Sequence, residues 1–289
     1  MEYIAVSIPI ELQKEEIEEI LVAELAQINY EGFLSEDSSL KAYIPIQDFN
    51  EPHLKLILDT YGMASYTKEY IVNENWNADW EIRFHPIVLE TGKGCSIRST
   101  GEGSMVPVWP PVAYKLIIKP QLAFGTGHHP TTFMMLESLL TLDKEGHIKN
   151  RRIADLGTGT GVLAILAAKM GAALPIHALD NDRRSIHSCR ENARLNGVEE
   201  NLRIYHTDAS FIQAGRYGMI LANLHRNILS QEMDTLSRGL EPGTSHLLIS
   251  GFYTKDVPAL IETAQKNGLT LYEQKENETW SLLHFIKTC

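Results

Sequence analysis

The sequence predicts an α/β protein, a mostly parallel sheet with helices on both faces, preceded by a smaller α+β domain. Three observations carry that expectation. From residue 120 onward, apolar runs of strand length alternate with helical periods, the pattern of a parallel sheet wound on both faces. A glycine-rich turn, Asp155-Leu156-Gly157-Thr158-Gly159-Thr160-Gly161, follows one such run and opens a helix. Charge also divides the chain. Residues 1–75 hold four Lys, no Arg and fifteen Asp or Glu, a net −11, whereas residues 76–289 balance at 22 basic and 22 acidic. A chain of 289 residues accommodates two domains.

The first quarter reads as β-α-β-β-α-β. Residues 3–8 alternate as a strand that Pro9 ends. Ile17, Ile20, Leu21, Glu24 and Leu25 keep a helical period, with Glu15, Glu16, Glu18 and Glu19 on the outer face. Residues 32–34 and 40–44 form two short strands around the polar turn 35–39. Leu54, Ile57 and Leu58 mark a second helix, and residues 66–72 a fourth strand. That order is the split β-α-β sandwich of ferredoxin-like domains, a fold that names no function. A polar linker carrying Trp76 and Trp80 follows. Residues 81–119 hold strand-like runs at 82–84 and 114–118 around a segment rich in Gly and Pro. Beyond it come strands at 153–156, 176–179, 203–205, 219–222 and 247–250, with helices at 162–170, 183–196, 226–238 and 255–267. Gly171 and Gly197 close two of the helices.

Composition excludes several classes. Hydrophobic residues are 44% and charged residues 22%, an ordinary globular balance. No run reaches the roughly 18 apolar residues of a membrane span. The start lacks the basic and apolar regions of a secretory signal. Cys95, Cys189 and Cys289 are odd in number and far apart, so they make neither a disulfide framework nor a metal site. A reducing cytoplasm and no membrane are expected. The acidic face of residues 1–75 serves either solubility or docking of a basic partner; like-charge repulsion argues against a grip on nucleic acid.

The chemistry concentrates at the carboxyl ends of the strands, where open α/β sheets bind ligands. Glycines let the backbone approach a ligand, and the helix they open presents free N–H groups. Asp180 ends the next strand, where a carboxylate can accept both hydroxyls of a ribose. A dinucleotide turn needs glycine at 162, which is Val162. The observed G-x-G-x-G after Asp155 resembles motif I of class I methyltransferases instead, where the acid fixes the loop near the methionine end of S-adenosylmethionine.

Two further motifs narrow the resemblance. Residues 122–132, Leu-Ala-Phe-Gly-Thr-Gly-His-His-Pro-Thr-Thr, precede the first strand of the sheet; Pro130 suits the first turn of a helix, and Thr131 or Thr132 can cap it. Residues 222–229, Ala-Asn-Leu-His-Arg-Asn-Ile-Leu, end the fourth strand. Together with the glycine turn, with residues 248–251 and with the final strand from Trp280 to Phe285, they resemble the bacterial methyltransferases of large-subunit ribosomal protein eleven. The resemblance implies a Rossmann-like class I methyltransferase domain with a seven-stranded, mostly parallel sheet at 81–289. An acidic ferredoxin-like recognition domain at 1–72 and a linker at 73–80 precede it. It implies S-adenosylmethionine as cofactor, held by Phe124, Gly125, Thr126, Thr132, Asp155, Gly157, Gly159, Gly161, Asp180, Asp208 and Asn223. It implies amino groups of a basic ribosomal protein, free or on the ribosome, as target: lysine side chains, an N-terminal α-amine, or both. A monomer without sequence-specific nucleic-acid contact is expected. His128, where that family more often has Thr, and His225-Arg226-Asn227 depart from its pattern, near where the resemblance places the target channel.

Methyl transfer to an amine is an in-line displacement, so alignment matters more than acid-base power. Asn223 is the expected catalytic residue, accepting a hydrogen bond from the amine; a helix N-cap is its plain alternative. His129 is a base or, more simply, a loop histidine. Asp208 meets the adenine or caps a surface turn, and His206 has no evident partner. Two other functions fit the residues less well: methylation of RNA or a small metabolite, and binding without catalysis.

Overall fold

The computed structural model describes residues 3–10, 21–22, 24–25, 28–30, 32–36, 39–63, 65–71, 86–99, 111–119 and 125–287. The glutamates at 15–19, the linker tryptophans Trp76 and Trp80, the run at 82–84, Phe124 and Cys289 lie outside them. The chain divides into two compact units, Met1–Trp76 and Asn77–Cys289.

In the first unit, β1 (Tyr3–Pro9), β2 (Gly32–Glu36), β3 (Ser39–Pro45) and β4 (Thr67–Ile71) form a sheet of order β2-β3-β1-β4 with antiparallel pairings throughout. This is the strand order of a ferredoxin-like sandwich. Alternation puts Ile4, Val6 and Ile8 of β1 and Leu40, Ala42 and Ile44 of β3 on one face. They bury against Leu21, Leu25, and Leu54, Ile57 and Leu58 of α1 (Glu51–Thr60). Asn50 caps α1 by accepting the His53 N–H at 3.1 Å, and Pro52 sits in the first turn, where its missing N–H costs nothing.

The second unit is built on a seven-stranded sheet of order β10-β9-β8-β11-β12-β14-β13. Its strands are β8 (Arg152–Leu156), β9 (Ala173–Asp180), β10 (Leu202–His206), β11 (Met219–Asn223), β12 (Ser245–Tyr253), β13 (Thr270–Asn277) and β14 (Trp280–Lys287). Only β14 runs against the others. Successive side chains of each buried strand feed opposite cores. Met219 and Leu221 of β11 join α2 (Pro130–Lys144), α3 (Val162–Lys169) and α4 (Arg183–Leu195) on one face. Ile220 and Ala222 join α5 (Arg226–Gly239) and α6 (Val257–Lys266) on the other. Because both faces are covered, these strands read as continuous apolar runs. The chain winds from β8 outward to β10, then returns to the other side of β8 at β11. The switch point therefore lies between β8 and β11, where the ligand crevice of such sheets opens.

A three-stranded sheet of β5 (Ile87–Leu89), β6 (Cys95–Arg98) and β7 (Tyr114–Ile117) completes the unit. Sequence reading found β7 and missed β5 and β6, which are three and four residues long. Asn192 of α4 and Asn196, which caps its end, anchor this sheet. Asn196 exchanges hydrogen bonds with the Ile117 backbone at 3.0 and 2.7 Å, and Asn192 accepts the Lys119 N–H at 2.8 Å. Strand β13 was also missed: its alternately half-buried and exposed sequence carries Glu273, Gln274, Lys275 and Glu276, which hide the period. No helix among the described residues is long and apolar enough to cross a membrane.

Candidate active site

Strand register lines up the residues that matter. Leu156 pairs with Leu179 on one side and Ala222 on the other, so Asp180, Gly157 and Asn223 stand level at the carboxyl edge of β9, β8 and β11. Asp180 and Asn223 are two strand spacings apart, roughly 10 Å. Ser250 of β12 continues the row beyond Asn223.

The glycine turn is held from several directions. Gly157 has φ +71°, and a Cβ there would come within 2.4 Å of Leu224, so only glycine fits. The Leu224 backbone in turn crosses Gly251, where a Cβ would meet its carbonyl at 2.5 Å. The two threonines of the turn have separate tasks. Thr158 donates its hydroxyl to the Asp155 carboxylate at 2.7 Å, and Thr160 donates to the Gly125 carbonyl at 2.6 Å. The second bond ties the 125–132 loop to the turn, joining motifs that are more than thirty residues apart in sequence. Asn192 donates to the Thr160 carbonyl at 2.9 Å. Sequence reading missed Asn192; its signal is a polar residue on the inner face of a helix whose neighbours Cys189 and Ala193 are buried.

Asp155 is fully buried. Burial pushes its carboxyl up to about 7; the nearby Asp180 carboxylate adds to the rise, and the Thr158 hydroxyl and Ala164 amide work against it. Its Oδ1 has no hydrogen-bond partner. Asp180 is oriented by two backbone donors, Gly159 N–H to Oδ2 and Asp182 N–H to Oδ1, each at 2.9 Å. Below the turn, burial raises the Cys189 thiol to about 12, which makes it a packing group.

At the other end of the row, Asn223 donates its amide N–H to the Thr132 hydroxyl at 3.2 Å, while its Oδ1 is buried and unpartnered. The plain alternative for Asn223, a helix N-cap, does not hold: His225 occupies that position of α5. The cap of α2 also differs from expectation. His129 is the N-cap, its Nδ1 accepting the Thr131 N–H at 3.3 Å, whereas Thr131 and Thr132 are buried inside the first turn. Proline at 130 forces this, since it fixes the first helical residue and leaves the cap to the side chain before it. Burial lowers the His129 imidazole below its usual range, and Glu278 opposes that shift.

Three residues stand apart from the row. Asp208 is exposed and caps a short 3-10 turn through the Ser210 N–H at 2.9 Å. Thr126 lies beside His128, its hydroxyl 3.3 Å from Nδ1. His206 does have a partner: its Nε2 lies 2.9 Å from the Asn181 carbonyl.

Carboxylate, glycine turn and amide thus stand in one level row at the switch point, and comparison with known proteins gives the family. The sequence model of the ribosomal protein L11 methyltransferase (PrmA) family matches residues 1–288. The chain belongs to the ribosomal protein L11 methyltransferase family. A family member from Porphyromonas gingivalis is 38% identical over 99% of this chain and 98% of its own. One from Bacteroides fragilis is 36% identical over 94% of this chain and 95% of its own. The crystal structure of ribosomal protein L11 methylase from Lactobacillus delbrueckii subsp. bulgaricus superposes with a TM-score of 0.60 at 24% identity, covering 71% of this chain and all of that one, and so shares the fold. As a member of this methyltransferase family, the chain uses S-adenosylmethionine as its methyl donor.

Proposed function

We propose that this chain transfers methyl groups from S-adenosylmethionine to amino groups of ribosomal protein L11: lysine side chains, the N-terminal α-amine, or both. The observation that carries the reading is the buried, unpartnered Oδ1 of Asn223 at the switch point, an acceptor placed for an N–H donor. Buried acceptors normally have partners, so an orphan at a sheet edge marks a ligand contact. The residues present fit the donor. Asp180 offers carboxylate lone pairs to ribose hydroxyls, and the buried Asp155 carboxyl suits a cationic neighbour. Gly157, Gly159 and Gly161 hold the backbone of the turn at positive φ, with Gly125, Thr126 and Thr132 on the facing segment. Phe124 and Asp208 belong to the same proposed set.

The bound donor supplies an electrophilic methyl group on a sulfonium. The protein's part is alignment. Thr132 fixes the Asn223 amide so that its carbonyl faces the incoming amine. The Asn223 carbonyl then accepts an amine N–H and turns the lone pair toward the methyl group. With the donor bound, that lone pair would take up the methyl group as the sulfonium became a neutral thioether, and the surplus proton would leave to solvent. An α-amine, with a pKa near ~8, is substantially neutral in the cell; a lysine near ~10.4 costs about 4–5 kcal/mol to deprotonate at pH 7. The acidic unit Met1–Trp76 serves, in this reading, to recognise the basic protein target.

Asn223→Ala tests the assignment with L11 as substrate. Cofactor affinity should stay within a few-fold of the parent while kcat falls at least a hundredfold, on the order of 3 kcal/mol of lost alignment. Equal losses in affinity and turnover would make Asn223 a cofactor residue or a structural one.

A further inference from the structure

The row Asp180–Gly157–Asn223 assigns β9 and β8 to the cofactor, which leaves the β12–β14 side for the target. That side carries an aromatic wall. Strand β12 runs three residues past Ser250 to Tyr253, which pairs with Trp280 at the start of β14. Their rings stack with centroids 4.3 Å apart and 28° between planes. The His129 ring meets the Trp280 ring edge-on at 4.7 Å. His129 and Thr132 share the first turn of α2, so the same turn touches Trp280 through one residue and Asn223 through the other. The wall therefore adjoins the Asn223 amide and rises above the sheet edge, its top one strand across and three residues up, roughly 10 Å away. A lysine side chain in extended form spans a good part of that distance.

We propose that Tyr253 and Trp280 form the target channel, packing the aliphatic stem and flanking basic residues of the substrate segment that presents its amine to Asn223. This rests on the amine-methylation reading above. Two observations fit a cationic occupant. Lys255 already holds its ammonium 5.5 Å from the Tyr253 ring centroid, so the exposed aromatic surface takes a cation. Glu278, exposed at the tip of the β13–β14 hairpin, acts electrostatically on His129 and thus brings a negative charge to the same wall. Tyr253 is 44% exposed at the carboxyl end of β12, so its ring is open to a ligand. Neither Tyr253 nor Trp280 pairs in register with Asp180 or the glycine turn, which places the wall on the target side of the row.

The test is steady-state kinetics of the full chain with L11, alongside calorimetric titration with S-adenosylmethionine. Tyr253→Ala and Trp280→Ala should each raise the KM for L11 by about three- to tenfold, with kcat changed less than twofold. Cofactor affinity should be unchanged, and Trp280→Phe should recover most of the loss. Glu278→Gln should raise KM at low salt, with the difference vanishing near ~0.5 M. If Trp280→Ala fails to fold, the half-exposed Tyr253 decides alone. Methylation of L11 with an unmoved KM in Tyr253→Ala overturns the wall. A parent enzyme that leaves L11 unmethylated refutes the amine-target reading, and the wall's role with it.

Discussion

At the scale of single residues, three side chains make separable predictions. Asp180 spends one lone pair of each oxygen on backbone N–H groups and has others open. Asp180→Ala should lower S-adenosylmethionine affinity at least tenfold in a protein that still folds, the loss of a charged hydrogen-bond acceptor worth about 1.5–3 kcal/mol. Calorimetry showing unchanged affinity would remove Asp180 from the site. Asp155 governs stability instead. Its carboxyl titrates near 7 in the folded chain, well above the unfolded value, so the folded state holds the proton more tightly. Stability is then unaffected below about pH 4, falls as pH rises toward 7 and is level above it; about three units set an upper bound of roughly 4 kcal/mol. Asp155→Asn cannot ionise, so its denaturation midpoint relative to the parent should climb between pH 4 and 7. Midpoints that run in parallel across that window would contradict the buried carboxyl. Both aspartates were legible in the sequence because each ends or nearly ends a strand beside the glycine turn. The orphaned Oδ1 of Asn223 was not, since only three-dimensional packing shows that Thr132 takes the N–H side of the amide.

At the scale of elements, β12 and β14 are joined by more than their ladder. His246 Nδ1 and His284 Nε2 lie 2.9 Å apart, both rings buried, with His147 against His246. Burial is the main cause that lowers them to about 3 and about 4, helped by their neighbours His284 and His147, by Arg151 beside His246 and by Lys275 beside His284. Here the unfolded chain binds protons more readily than the folded one. The pair's contribution is complete above about pH 6.5 and is lost as pH falls toward 4. His284→Gln keeps a hydrogen-bonding group but does not titrate, and should lose less thermal stability than the parent between pH 7.5 and 5. Equal losses in circular-dichroism melts would show that the pair is not the acid-sensitive joint. Legibility differed between elements for physical reasons. Continuous apolar runs such as residues 219–222 of β11 and 247–249 of β12 announced themselves because both sheet faces are covered. The short β5 and β6, and the polar edge strand β13, offered neither length nor period. The cap of α2 was misread because histidine is a less common N-cap than the threonines that follow it, yet Pro130 leaves the cap to His129.

At the scale of the molecule, charge and chemistry are divided between two units. The net negative charge lies in the first 75 positions, and the proposed reacting groups all lie in the second unit. If the acidic unit steers a basic protein, the association rate of the intact enzyme with L11 should fall several-fold as salt rises from ~0.02 to ~0.3 M, with turnover at saturation little changed. A rate indifferent to salt would reduce the acidic surface to a role in solubility. The family and the parallel sheet were readable from three motifs. The target-facing wall was not, because Tyr253 and Trp280 come from strands that meet only when β14 inserts antiparallel beside β12. The most direct measurement is label transfer. The intact enzyme is incubated with methyl-labelled S-adenosylmethionine and total ribosomal components, protein and RNA, and the products are mapped by mass spectrometry. The account predicts label in ribosomal protein L11, on amino nitrogens, and none above background in RNA. Label confined to RNA, or to a protein carbon or oxygen, would contradict it.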